Sequence, residues 1–152
     1  MKIIYNCYGG THTSIVTASI HVGRLPMDRI PHSVELNEIS AYDRMETGDI
    51  GYLTYMGKDE YHNDVYAVGL GSQRVFYTGI LHQLSNELTT YQKQELLVID
   101  TLRFAHFTVH IGGFLSRKIH LISLGRPLVN YGIKRCYPSL IQLVANVKKS
   151  LQ

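Results

Sequence analysis

The stretch Lys2-Ile3-Ile4-Tyr5-Asn6-Cys7-Tyr8-Gly9-Gly10-Thr11-His12-Thr13-Ser14-Ile15-Val16-Thr17-Ala18-Ser19-Ile20-His21-Val22-Gly23 decides how this chain is read. Lys2 to Asn6 is a short apolar strand. Cys7 to Ser14 is a turn rich in glycine and cap-forming hydroxyls, and Ile15 to Val22 has the apolar density of a largely buried helix. Gly23 supplies its stop. A strand that passes into a helix through a glycine-bearing turn is the opening unit of a parallel sheet covered by helices.

The rest of the chain alternates in the same way. Pro31-His32-Ser33 leads into a short helix through Val34, Leu36 and Ile39, with Ser33 as the expected N-cap. Gly51 to Met56 and Val65 to Val68 are aromatic or β-branched and flank turn chemistry at Gly57 to Asp64, which predicts a hairpin. Gln73 to Leu88 has apolar residues at helical spacing. Leu96 to Asp100 reads as a strand, Leu102 to Ile119 as a helical stretch, Leu121 to Leu124 as a third buried strand, and Pro138 to Val147 as a C-terminal helix. The expectation is one α/β domain over residues 1–152: three α/β/α layers, a mainly parallel, Rossmann-like sheet, and an inserted β-hairpin.

Composition narrows the partners. With 152 residues, 45% hydrophobic and 18% charged, 13 Gly and 4 Pro, the chain can build a packed core and is not a disordered tail. A formal charge of +3 is too small to argue for a nucleic-acid partner and leaves small anions as candidates. The apolar run at the N-terminus is too short for a signal peptide, and nowhere do about 18 apolar residues run together, so no membrane partner and a cytoplasmic location are expected. In that setting Cys7 and Cys136 are thiols rather than a disulfide.

On the expected topology, Cys7 to Ser14, Gly69 to Ser72, Asp100-Thr101 and Gly125-Arg126-Pro127 converge at the carboxyl ends of the strands, where helix N-termini favour anions. Gly9 and Gly10 allow backbone amides to approach an anion, and Thr11, Thr13 and Ser14 add hydroxyls. Cys7, just below a helix N-terminus, is a candidate nucleophile whose thiolate amides and dipole stabilise. His12 donates to an anion, sets the protonation of Cys7, or is simply exposed. Gly71 and Ser72 form a second anion-friendly turn. Arg126 either clamps a phosphate or pairs with a surface carboxylate. Asp100 is either a general acid or the cap of the next helix.

The spacing Cys7-x-x-Gly10-x-x-Thr13-Ser14 between strand and helix resembles the phosphocysteine loop of phosphotransferase-system IIB proteins of the lactose/cellobiose type. That fold is shared with low-molecular-weight tyrosine phosphatases (the phosphotyrosine phosphatase I-like fold), whose loop is Cys, five residues, Arg, Ser. The resemblance covers only the first strand and helix, and implies that Cys7 accepts a phosphoryl group cradled by the amides of Tyr8 to Ser14. Thr13 stands where the phosphatases have arginine, and no Asp-Pro pair is available as their general acid, which disfavours an ordinary phosphatase. Over its whole length the chain is similar to an uncharacterised family of spore-forming Firmicutes. The pieces that carry this are Cys7-Tyr8-Gly9-Gly10-Thr11-His12, Met56-Gly57-x-Asp59-Glu60-Tyr61, Ile111-Gly112-Gly113-Phe114-Leu115-Ser116-Arg117 and Gly125-Arg126-Pro127; that resemblance supplies no activity.

Competing constellations are weaker. A nucleotide P-loop needs lysine at His12 and glycine at Thr11. Of the eight histidines, His106 and His110 share the i, i+4 spacing of a metal pair but have no third ligand close in sequence, so no metal and no cofactor are expected. Gly112-Gly113 within a helical stretch implies a break or an unusually close neighbour. Tyr52, Tyr55, Tyr61, Tyr66 and Tyr77 crowd the hairpin, whose edge is the expected homodimer contact. Two functions follow: a cysteine-dependent enzyme acting on a phosphorylated small molecule or inorganic anion, or a non-catalytic module that senses a phosphometabolite or nucleotide and reports to a protein partner.

Overall fold

The computed structural model describes residues 1–43, 49–92, 95–117 and 122–151. Strand β1 (Lys2–Cys7) is buried at every residue after Lys2, because strands pair along both of its edges. The others are β2 (Thr54–Lys58), β3 (Asp64–Gly69) and β4 (Leu96–Asp100), in the order β2-β3-β1-β4. β3 and β4 run parallel to β1, with Cys7 opposite Gly69 and Asn6 opposite Asp100. The expected hairpin is present, with β2 antiparallel to β3. The sheet is therefore open, four-stranded and mixed.

Period-two alternation divides the apolar side chains between two faces. Ile3, Tyr5, Val65, Ala67 and Ile99 pack with helix α1 (Thr13–His21) and with Val129, Ile133, Tyr137, Leu140 and Val144 of helix α5 (Ile122–Ser150). Ile4, Val68 and Val98 pack on the opposite face with Leu81 of helix α3 (Arg74–Gln92). The path from β1 to β3 carries α1 and helix α2 (Ser33–Glu38). β1 and β3, neighbours in the sheet, thus send their following helices to opposite faces, the topological switch at which open α/β sheets place their ligand sites. Among the described residues no helix is long and apolar enough to cross a membrane.

Four expectations change. Leu121 to Leu124 is not a third buried strand: residues 122–124 open α5, Leu124 is exposed, and Leu121 lies outside the described residues. A short apolar run has no periodicity of its own, and here it continues into the helical spacing of Val129, Ile133 and Tyr137. Gly125-Arg126-Pro127 is consequently helical rather than a strand-end loop. The stretch after Leu102 is a 3-10 turn at Leu102–Phe104 followed by helix α4 (Phe107–Arg117), and it is unbroken at Gly112-Gly113 because α5 approaches closely. A Cβ on Gly112 would lie 2.7 Å from the Gly125 carbonyl oxygen and the Val129 nitrogen. Ser33 is the first residue of α2, one place inside its expected cap position; the Glu35 carboxylate accepts the His32 N–H at 2.7 Å.

At the amino ends of the strands, a buried polar chain ties three elements together. The Tyr5 hydroxyl lies 2.6 Å from His21 Nδ1, and His21 Nε2 lies 3.1 Å from Asp59 Oδ2. Asp59 also accepts the backbone N–H groups of Tyr61 and Asn63 and the Asn63 side-chain amide. It closes the β2–β3 turn onto the end of α1. Burial pushes the His21 imidazole below its ordinary 6.5, outweighing the hydrogen bond to Asp59. Below pH 6.5 the unfolded chain takes up a proton that the native chain resists, so stability is full above that value and declines as pH falls toward the lower native one. Urea midpoints measured from about pH 8 to pH 5.5 should fall, and His21→Gln should remove that part of the slope. Asp59→Ala should cost about 2–4 kcal/mol in the same assay at neutral pH, because it strands several buried donors.

Candidate functional site

Cys7 ends β1 and Thr13 begins α1, so five residues must turn the chain over the end of β3. They do so by direct backbone contact. Gly10 has φ +69°, and a Cβ there would sit 2.5 Å from the Gly69 nitrogen; a Cβ on Gly69 would meet the Gly9 carbonyl carbon at 2.6 Å. Only glycines allow this approach. Leu70 N–H donates to the Cys7 carbonyl at 3.0 Å and Gly71 N–H to the Tyr8 carbonyl at 2.9 Å, which places the Gly71–Gln73 3-10 turn, with exposed Ser72, beside the loop.

Within the turn the Cys7 sulfur faces polar atoms. It accepts the Gly10 N–H at 3.2 Å and lies 3.1 Å from Ser14 Oγ. Cys7 is 3% exposed and Ser14 is fully buried. Thr13, also buried, is hydrogen-bonded through its hydroxyl to Thr101 Oγ1 at 3.0 Å, and Thr101 Oγ1 is 2.8 Å from the Asn6 carbonyl. Thr11 Oγ1 donates to the Ala41 carbonyl at 3.3 Å, and the Thr11 carbonyl accepts Asp43 N–H at 3.2 Å. The loop is therefore bound to residues 41–43 along its outer side.

Asp43 is the organising group that the sequence did not reveal. Its side chain is fully buried, its backbone has φ +52°, and its two oxygens lie 3.0 Å from His12 Nε2 and 3.1 Å from Arg126 Nε. A carboxylate so deeply buried needs opposite charge and hydrogen bonds to stay there, and the loop and α5 each supply one partner. His12 is also pressed against α4, since a Cβ on Gly113 would lie 3.0 Å from His12 Cε1. The Tyr42 ring meets His12 edge-on at 6.0 Å, and the Tyr42 hydroxyl donates to Asn130 Oδ1 at 2.8 Å. Burial, then the neighbouring Asp43 charge, push that hydroxyl well above its ordinary range. Arg126 thus reaches the loop from a helix, through a buried carboxylate rather than a surface one.

Asp100 is held apart from the sulfur. Opposite Asn6 in register, it lies on the α3 face, where its carboxylate takes Arg74 Nε at 3.3 Å and the Leu102 N–H at 2.9 Å, the bond of a helix cap. Cys7 follows Tyr5 onto the α1 face. His106 precedes α4 and is hydrogen-bonded to Thr108 Oγ1 at 2.9 Å. Among the described residues no three His, Cys, Asp or Glu side chains converge as metal ligands. Both cysteines are free thiols.

A family model described as "Protein of unknown function (DUF3189)" matches residues 2–149. The chain belongs to the DUF3189 family. No curated protein and no solved structure matches it. In this DUF3189 chain, Gly69 and Asp43 are the positions on which the loop's geometry rests. Gly69→Ala should lower stability by about 1–3 kcal/mol and speed alkylation of Cys7, mapped by mass spectrometry against Cys136, because a methyl at that point unseats the loop. Asp43→Ala, which leaves two partners unpaired, should cost about 1–3 kcal/mol in thermal or urea unfolding.

Proposed function

We propose that the Cys7–Ser14 loop binds a phosphate-containing small molecule or an inorganic anion, with Cys7 as the nucleophile of a phosphoryl-transfer or related reaction. The observation that carries this reading is the sulfur's setting: it accepts the Gly10 N–H and lies 3.1 Å from the Ser14 hydroxyl oxygen, at the turn into a nine-residue helix. An amide donor and a hydroxyl at the sulfur suit a nucleophile at the base of an anion-binding turn. As sulfur attacks phosphorus, the S–P bond forms while the P–O bond to the leaving group breaks, and loop amides together with Arg126 balance charge on the equatorial oxygens. The departing oxygen takes the electron pair and a proton, for which His12, a loop residue paired with Asp43, is the proposed donor, Asp100 lying on the other face. The reading goes with a three-layer, Rossmann-like and phosphatase I-like interpretation of the fold, supported by the parallel β3-β1-β4 core and by helices on both faces. A cytoplasmic setting is supported by the two free thiols.

A second reading has its own observation. Cys7 is only 3% exposed, which suits a module that senses a phosphometabolite or nucleotide at the loop without covalent chemistry. The two separate on one variant. Incubated with acetyl phosphate, the wild type and Cys136→Ser should gain a phosphoryl group on intact-mass analysis and Cys7→Ser should not. A sensor gains none, and its Cys7→Ser form binds inorganic phosphate or pyrophosphate within a few-fold of wild type by calorimetry. If neither anion binds nor slows iodoacetamide labelling of Cys7, and no adduct forms, both readings fail.

A further inference from the structure

The two edges of the sheet are unlike. On β2 the pairing with β3 slips between Tyr55 and Gly57, Gly57 has φ +130°, and Lys58 projects its ammonium to Asp64 at 2.9 Å. A bulge and a lysine are the usual devices that keep an edge from pairing. β4 has neither. Its Leu96-Leu97-Val98-Ile99-Asp100 is regular and contains no proline, lysine or bulge.

The parallel register fixes what that edge presents. Lys2 N–H donates to the Glu95 carbonyl and Thr101 N–H to the Asn6 carbonyl, so Leu97 and Ile99 bond to β1 while Leu96, Val98 and Asp100 turn their peptide groups outward. Ser85 Oγ caps the Leu96 carbonyl at 2.6 Å. Val98 is the centre of what remains. The outward edge forms the floor of a groove of about 430 Å³, with Thr78 and His82 of α3 on one wall and Leu143 and Val147 of α5 on the other.

We propose that this edge pairs with β4 of a second copy, antiparallel about a two-fold axis at Val98, to make a continuous eight-stranded sheet. The occupant must offer an apolar strand segment on both faces, because the α3 wall meets Val98 and the α5 wall meets Leu97 and Ile99; β4 is such a strand from Leu96 to Ile99, with Asp100 at its end held by Arg74. Two-fold pairing is self-complementary by construction. The charges agree: exposed Glu95 precedes the strand and exposed Arg103 follows it, so the antiparallel arrangement brings each Glu95 to the end of the second strand that carries Arg103. The hairpin edge, where the tyrosines suggest a dimer contact, carries the bulge; the regular strand here favours the opposite side of the sheet.

The test is the oligomeric state of the full chain by light scattering and sedimentation, across concentration. Val98→Pro removes an outward N–H that bonds to no neighbour within the sheet, so it should give a monomer with the wild-type circular dichroism spectrum. Glu95→Arg and Arg103→Glu should each weaken dimerisation by about fivefold or more, and the double reversal should restore it. A wild type that stays monomeric up to its solubility limit overturns the proposal. So does a Val98→Pro protein that still dimerises, or a pair of single reversals that leave the dimer unchanged.

Discussion

The site depends on one contact between backbones. Gly9 and Gly10 lie directly on Gly69, at the point where neighbouring parallel strands send their helices to opposite faces of the sheet. Elsewhere in an open α/β sheet that junction is a crevice; here main chain fills it. Sulfur, hydroxyl and amide are brought together because the turn has no room to take another path. The hydrogen bonds from Leu70 and Gly71 to Cys7 and Tyr8 then join the two loops into one unit.

Polar groups at both ends of the sheet obey a common rule. A buried carboxylate survives only where every oxygen is met, and Asp59 and Asp43 satisfy it in different ways. Asp59 is surrounded by the donors of its own turn and by His21, although burial by itself would raise its pKa; those bonds hold the carboxyl below its ordinary range. Asp43 draws its partners from a loop and from a helix distant in sequence. The first arrangement is local and fastens a hairpin; the second joins the loop to a helix more than 100 residues further along the chain. In the second, the Gly113 and Gly112 positions make room, the former for the His12 ring and the latter for α5.

Much of this was legible in the chain. The first strand, turn and helix follow from Ile3, Ile4, the glycine pair and the apolar run to Val22, and the hairpin follows from β-branched and aromatic stretches around polar turn residues. Gly112-Gly113 allows either a helix break or a close neighbour, and the structure has the neighbour, α5. What failed was short or remote. Leu121 to Leu124 was too brief to reveal its period, so a helix was read as a strand and Arg126 was assigned to the wrong kind of element. Asp43 lies between a six-residue helix and the hairpin, in a stretch with no pattern, and its importance comes from partners 31 and 83 residues away. The opposite directions of Cys7 and Asp100 depend on side-chain parity across two strands, which appears only once the register is known.

Helix α5 runs for 29 residues, from beside the loop to the far end of the sheet, where Lys148 holds Glu60 at 2.8 Å. Arg126 stands near one end of this rod and Lys148 near the other, roughly 33 Å apart at helical rise. Pro127 and Pro138 lie inside this helix and each removes an N–H from its ladder, so the helix keeps its course through the core packing of Val129, Ile133, Tyr137, Leu140 and Val144 and through the polar anchors at its two ends.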